Sequence, residues 1–379
     1  MRRPPSDPSS ERILKLRISM TLHFNPPPRK VCLLRLSAIG DTCHALAVLR
    51  ALQTAWPQTQ FTWIIGTLEA KLMTALVPEI EFITFDKRRA CAEALRLRRV
   101  LAGRDFDLLL HMQLSLRASL LSRQVHAPIK LGFDRARARE LQGWFTNAQI
   151  APARREHVLD SLMGFVRACG VEPGTPEWHL SAPLAGAAEP PILVISPCSS
   201  HRTRNWSALR YAAVAEHAMN THGMQVILAG GPSPLEIQMG GAITQATGTP
   251  RATGASLINR IGSDSLPQLL QLLARSTVLL SPDSGPVHMA SMVGLPVIGL
   301  YAATNSERSG PYFSRPWCVD KYALAARKFL GKSAASLPWT TKIERPGVMD
   351  LISVADVTDR LDQLMRERRS LPNPHGAEI

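Results

Sequence analysis

Two doubly wound, Rossmann-like α/β domains facing one another across a central cleft are the fold this chain predicts. Short apolar strands alternate with segments of helical spacing, the pattern of parallel sheets covered on both faces. The alternation breaks once, between Val171 and Pro191, where Pro, Gly and Ala accumulate and periodicity fades, and then it restarts. Each series also holds a strand that runs into a small-residue turn and a helix. These are Arg35-Leu36-Ser37-Ala38-Ile39-Gly40-Asp41-Thr42 and Ser281-Pro282-Asp283-Ser284-Gly285-Pro286-Val287-His288. Open α/β sheets bind ligands at the carboxyl ends of such strands.

In the first series, Val31 to Leu36 is a nearly continuous apolar run, as a strand buried on both faces requires. After the Gly40-Asp41-Thr42 turn, Ala45, Leu49, Leu52 and Trp56 recur at helical spacing and Pro57 ends the helix. Phe61 to Ile65 completes a βαβ unit. Glu81 to Phe85, the basic helix Arg88 to Ala102, the strand Phe106 to His111 and a helix over 156–169 follow, with Gly170 as the stop.

The second series begins with the strand Ile192 to Ser196, a polar loop, a helix over Ala208 to Thr221 and the strand Gln225 to Ala229. Leu266 to Ala274 is helical behind Ser265, a suitable N-cap. Thr277 to Leu280 leads into the second key loop and the short helix Val287 to Met292. Gly294-Leu295-Pro296 stops that helix before the strand Val297 to Leu300. The expected boundaries are a disordered extension over 1–28 closed by Pro26-Pro27-Pro28, a domain over 29–175, a linker over 176–190 and a domain over 191–345.

Bulk properties narrow the class. A chain of 379 residues, 45% hydrophobic and 20% charged, fits about two globular cores. It has no run near the roughly 20 apolar residues that span a bilayer. Arg12, Lys15 and Arg17 interrupt any export signal behind Met1-Arg2-Arg3, so a cytosolic chain is expected, with Met20 as an alternative start. Cys32, Cys43, Cys91, Cys169, Cys198 and Cys318 show no C-x-x-C spacing, which argues for reduced, mostly buried thiols. The formal charge of +14 concentrates in the first half, from Lys87, Arg88, Arg89, Arg96, Arg98, Arg99 and Arg104 onward. No helix-turn-helix, RNA-binding or zinc-finger pattern accompanies it. A phosphate-bearing or membrane-seated partner fits better than nucleic acid.

The polar residues at the strand ends each carry two readings. Ser284 and Gly285 open a helix whose unpaired amides and dipole form a phosphate seat; equally, Asp283 and Ser284 cap it. His288 either donates to a phosphate or braces the core. No third ligand has metal-like spacing beside Asp283 and His288, so no metal is expected there. In His201-Arg202-Thr203-Arg204-Asn205-Trp206, two guanidinium groups suit a diphosphate leaving group or form a solvated loop, and Trp206 anchors the next helix. Glu236, after Gly230-Gly231-Pro232, is placed to accept from ribose hydroxyls or to stabilise its helix. Asp41 takes a proton from an acceptor hydroxyl, or is an ordinary helix-start carboxylate.

Together these residues resemble glycosyltransferase family 9, the ADP-heptose:lipopolysaccharide heptosyltransferases, particularly the heptosyltransferase I type. The resemblance runs from about residue 30 to 315. It is densest in Ser281 to Ala290 followed by Gly294-Leu295-Pro296-Val297, and in Tyr301-Ala302-Ala303-Thr304-Asn305 through Arg308-Ser309-Gly310-Pro311-Tyr312. It implies a GT-B fold with an N-terminal acceptor domain, a C-terminal nucleotide-sugar domain and a segment over 346–379 whose helix, Val354 to Arg368, returns to the first domain. It also implies inverting, metal-independent transfer of L-glycero-D-manno-heptose from ADP-heptose, without a cofactor, to the Kdo-lipid A inner core at the cytoplasmic face of the inner membrane. By the same resemblance Asp41 is the general base and Ser37 its neighbouring hydroxyl. Arg204 stands where the family often has a phosphate-binding lysine. Asp283, Ser284, Gly285 and His288 form the diphosphate loop, and Glu236 is a ribose contact. Arg117, Arg123 and Arg139 lie on the acceptor side. Tyr301-Ala302-Ala303 departs from the more usual aromatic-Gly-Pro. Two alternatives stand beside this reading: a family 9 transferase adding a later heptose or another sugar, and a non-enzymatic basic nucleotide- or RNA-binding protein.

Overall fold

The computed structural model describes residues 21–180, 190–250 and 254–370. The expectations for most of the N-terminal extension with Met20, for most of the linker and for the 371–379 tail lie outside these residues. The chain divides into two compact units, Met1–His179 and Leu180–Ile379.

The first unit runs β1 (Lys30–Leu34), α1 (Ile39–Ala55), β2 (Gln60–Gly66), α2 (Thr67–Leu76), β3 (Glu81–Phe85), α3 (Ala90–Leu101), β4 (Leu108–His111), α4 (Leu116–Ser122), β5 (Ile129–Gly132), β6 (Ala148–Gln149) and α5 (Val158–Ala168). Its six strands are parallel and ordered β3-β2-β1-β4-β5-β6. Val31 pairs with Phe61 on one side and with Leu108 on the other. Val31, Cys32, Leu33 and Leu34 are all fully buried, which is why this stretch reads as one apolar run rather than an alternation. The crossovers diverge between β1 and β4, so the crevice beyond those two strand ends is the switch point where such sheets take ligands. α1 is buried from Thr42 through Leu49 because the sheet lies on one side and α5 packs on the other.

The second unit repeats the topology. It runs β7 (Ile192–Ile195), α6 (Ala208–His222), β8 (Gln225–Leu228), α7 (Pro234–Ala246), β9 (Ser256–Asn259), α8 (Leu266–Ala274), β10 (Val278–Pro282), α9 (Gly285–Met292), β11 (Val297–Tyr301), α10 (Ser306–Ser309), β12 (Val319–Asp320), α11 (Tyr322–Leu330) and α12 (Val354–Ser370). The order β12-β11-β10-β7-β8-β9 places its switch point between β7 and β10. Ser265 caps α8 with its hydroxyl, as expected, and Gly223 ends α6 at φ 62°.

The C-terminal helix α12 packs within the second unit. Val357, Leu361, Leu364 and Met365 are buried with Ala215, Ala218 and Met219 of α6 in the core of that unit. The spacing of these four residues gives α12 one apolar stripe, and α6 covers it.

Candidate active site

At the first switch point, Arg35 crosses from the end of β1 to the end of β4. One guanidinium nitrogen donates to the Met112 carbonyl and the other pairs with Asp41 Oδ2. Gln113 ties the same two ends together, its Oε1 accepting from Leu36 N at 3.0 Å and from Ser37 N at 3.3 Å. Asp41 sits in the first turn of α1, and Oδ2 also accepts from Ala38 N at 3.3 Å. The helix-start reading is therefore present in the molecule. Both contacts fall on Oδ2, and Oδ1 is the oxygen engaged by neither.

Beside this point lies a cavity of about 620 Å³, lined by Ser37 and Arg117 together with Lys71, Lys87, Arg88, Glu69 and others. Four basic side chains against the acids Glu69 and Asp86 give it a cationic lining. Glu69 is buried, and desolvation pushes its carboxyl up. Gly66 makes the floor possible, because a Cβ there would strike the Leu36 carbonyl and the Glu69 carboxylate. Arg123 and Arg139 are exposed and stand outside this lining.

In the second unit, the loop after β7 and the loop after β10 meet at the equivalent point. Ser281 Oγ donates to the Ser196 carbonyl at 2.9 Å and lies 2.8 Å from Ser284 Oγ. The Ser284 hydroxyl thus turns to Ser281 and makes no cap on α9. Asp283 does not cap either. Its Oδ2 lies 3.5 Å from both Arg204 Nη1 and Ser309 Oγ. Gly285 opens α9, Pro286 follows, and His288 is buried on the first turn. The first amides of α9 are the donors a helix N-terminus presents to an anion.

Arg204 is buried, and Glu344 grips it from 140 residues downstream: Nε and Nη2 donate to Oε1 at 3.0 and 2.7 Å. This hydrogen bonding holds the Glu344 carboxyl below its ordinary range. Lys342 joins the cluster; desolvation and then the charge of Arg204 push its ammonium down. Asp283 and His288 gather no third donor: among the described residues the one cluster of three His, Cys, Asp or Glu donors lies elsewhere, at His217, His222 and Asp362.

Glu236 is committed to its own turn. Oε1 accepts from Gly231 N at 2.7 Å and Oε2 from Ser233 Oγ at 2.6 Å, and the two glycines leave the room. Trp206 is an anchor, as expected: it is buried and donates from Nε1 to the Ile352 carbonyl at 3.1 Å. Tyr301, first of the three residues that depart from the usual pattern, is buried at the end of β11 and donates to the Ser309 carbonyl at 3.2 Å. Sequence reasoning missed Lys342 and Glu344, which carry no motif. It also passed over Arg35, whose place inside the first loop was the available signal.

Residues 94–336 match the profile of glycosyltransferase family 9 (heptosyltransferase). The chain is 38% identical over 350 residues to the lipopolysaccharide core heptosyltransferase OpsX of Haemophilus influenzae, covering 90% of this chain and 98% of that protein. Among solved structures, a family 9 glycosyltransferase from Veillonella parvula aligns with a TM-score of 0.71 at 20% identity, covering 89% of this chain and 98% of that one. The E. coli heptosyltransferase WaaC with ADP aligns with a TM-score of 0.63 at 20% identity, over 74% and 91% of the two chains. These structural likenesses show the GT-B fold. With the family profile and the close relative agreeing over most of the sequence, the chain belongs to glycosyltransferase family 9 and is a glycosyltransferase of the heptosyltransferase kind.

Proposed function

We propose that the enzyme transfers L-glycero-D-manno-heptose from ADP-heptose to the Kdo-lipid A inner core of lipopolysaccharide, with inversion at the anomeric carbon and without a metal. The observation that carries this reading is the pair of equivalent switch points. One bears a carboxylate fixed by Arg35, and the other bears a buried guanidinium beside a helix N-terminus. Asp41 Oδ1 removes the proton from an acceptor hydroxyl as that oxygen attacks the anomeric carbon. The bond to the β-phosphate oxygen breaks, and the departing ADP takes the electron pair. Arg204, Lys342 and the first amides of α9 stabilise the charge that develops there. One such donor contributes about 2.7–4 kcal/mol to a charged transition state. Glu344 is the partner a diphosphate displaces from Arg204, leaving Asp283 to orient the guanidinium.

The similarity to a lipopolysaccharide core heptosyltransferase supports the sugar and the pathway. The cationic cavity of the first unit supports an anionic acceptor, with Arg117 and Lys87 meeting Kdo carboxylate or phosphate and Arg123 and Arg139 outside it. Glu236 reaches ribose hydroxyls only by sharing oxygens already bonded to Gly231 and Ser233.

Among the described residues no helix is long and apolar enough to cross a membrane. The approach to lipid is proposed through an exposed face of the first unit. Leu116 and Leu120 of α4 and, further along the chain, Leu141 and Trp144 are exposed; Glu140, beside Leu141, accepts from Leu116 N, and Arg117 and Arg139 are exposed in the same segments. Exposed apolar side chains with arginines in the same segments suit an anionic bilayer surface.

The deciding experiment is turnover of purified enzyme with ADP-heptose, offering Kdo-lipid A in one arm and a monoheptosylated acceptor in the other. ADP release with Kdo-lipid A alone is expected. Release only with the monoheptosylated acceptor assigns a later transfer, and release with neither overturns the reading.

A further inference from the structure

At the far end of α6 from the proposed donor site, two histidines and a carboxylate converge. His217 Nε2 and His222 Nε2 each lie 2.6 Å from Asp362 Oδ1. The two rings stack edge to face with centroids 5.6 Å apart. The three donor atoms lie within 4.8 Å of one another. They come from two helices, α6 and α12, with Asp362 lying 145 residues after His217 and 140 after His222.

From this geometry we propose that His217, His222 and Asp362 form a binding site for one divalent transition-metal ion of the zinc type, which clips α12 onto α6. Three features favour a cation. Two imidazole nitrogens with one carboxylate oxygen, completed by water, is an established zinc donor set. The set carries one formal negative charge when both imidazoles are neutral. It also sits at the carboxyl end of α6, where His222 is the last helical residue and the helix dipole presents its negative pole. Nitrogen-rich donors select zinc-like ions over magnesium or calcium.

The fit needs little movement. Donor atoms around a tetrahedral ion with bonds of about 2.0–2.1 Å stand farther apart than 2.6 Å, so the site must open slightly to admit it. Asp362 and His217 are each more than a quarter exposed and have room to move, while His222 is 8% exposed and holds the fixed corner. Thr221 Oγ1 lies 3.4 Å from His217 Nδ1 and helps orient that ring.

The site is structural rather than catalytic. Across the 15 residues of α6 the helix rises about 21 Å, and His222 lies beside the amino end of β8, away from the strand ends that hold Arg204. Its effect is to pin α12, whose inner face completes the core of the second unit. Sequence spacing could not reveal it, because Asp362 is remote from both histidines.

The test uses the full chain without an affinity tag, stripped with chelator and desalted, then titrated with Zn2+ against a chromophoric competitor. One equivalent is expected to bind, with a raised melting temperature. Loss of a metal's outer-shell partner alone weakens binding 10–100-fold, so His217→Ala with His222→Ala is expected to weaken it at least about 100-fold. Asp362→Asn, which keeps an acceptor for both imidazoles but removes the charge, is expected to fold normally and to lose most of the affinity. Heptosyl transfer by these variants at room temperature is expected to match the parent chain, which serves as the folding control. No zinc uptake by the parent chain overturns the proposal, and so does equal uptake by the double variant.

Discussion

Arg35 pairs with Asp41 through the same carboxylate oxygen, Oδ2, that accepts from the Ala38 amide, so the proposed base is held on one side and presents Oδ1 on the other. This arrangement separates the two roles of Asp41. Asp41→Asn keeps an acceptor for Ala38 N and retains the helix start, but it cannot take a proton. It is expected to melt within about 1 kcal/mol of the parent, since capping contacts contribute roughly that much, while losing at least about 10³-fold in kcat and keeping its affinity for ADP. Near-normal turnover by this variant would remove Asp41 as the base. Arg35→Ala is expected to lower kcat about 10–100-fold through a misplaced carboxylate, given how steeply rate falls with small displacements. Arg35→Lys should recover part of it. Equal damage from both substitutions with no rescue would point to a merely structural arginine.

The grip of Glu344 on Arg204 gives a second test. If a diphosphate replaces Glu344, then Glu344→Gln weakens the competing ion pair and should tighten ADP binding, whereas Arg204→Ala should loosen it and cut kcat about 10²–10³-fold, the usual scale for one donor to developing charge. Lys342→Ala should weaken ADP without abolishing transfer. Calorimetric titration with ADP distinguishes these cases, and unchanged affinity in Arg204→Ala would exclude it from the donor site.

How far the sequence reached depends on which physics wrote the signal. Both key loops were legible because a buried parallel strand must be apolar throughout and must stop at small polar residues, as Val31 to Asp41 and Val278 to Gly285 do. β5, β6, β9 and β12 escaped notice: they are only two to four residues long, in the outer positions of their sheets, and sequences such as Ala148-Gln149 or Val319-Asp320 carry no period. Arg204 was visible as charge, yet Glu344 and Lys342 were not. Their meeting depends on the path of the chain after β12, and no local pattern encodes that. Lys87 and Arg88 read as part of a basic cluster, and only the fold turns them toward a cavity with Ser37.

His111 supplies a prediction about pH. It is fully buried at the end of β4, where burial pushes its pKa down from the ordinary 6.5 to about 4. Gln142 Nε2 contacts its Nδ1 at 3.2 Å, as suits a neutral ring. Between those two pH values the unfolded chain binds a proton that the folded chain refuses. The stability this group contributes is therefore complete above about pH 6.5 and is lost as pH falls toward 4, a change on the order of 3 kcal/mol. Melting curves across that window should steepen accordingly. His111→Asn is expected to flatten the slope, and an identical slope in that variant would show that other groups carry the acid sensitivity.

The exposed Trp144 leads to the last expectation. Trp144 is 77% exposed, Leu116, Leu120 and Leu141 are exposed as well, and Arg117 and Arg139 are exposed in the same segments. An aromatic side chain that enters a bilayer interface removes apolar area from water, and each nearby arginine adds about 1 kcal/mol against an anionic surface. Sedimentation with vesicles of phosphatidylglycerol and phosphatidylethanolamine should pull down the parent chain, and neutral vesicles should not. Trp144→Ala is expected to weaken binding at least about tenfold, consistent with losing roughly 25 cal/mol for each Å² no longer buried. Raising ionic strength toward 1 M should weaken it further, because screening then acts within about 3 Å. Turnover on a water-soluble acceptor fragment should stay unchanged in Trp144→Ala, since that residue lies outside the lining of the cationic cavity. Equal binding to neutral and anionic vesicles, or no effect of Trp144→Ala, would assign the lipid contact to another face.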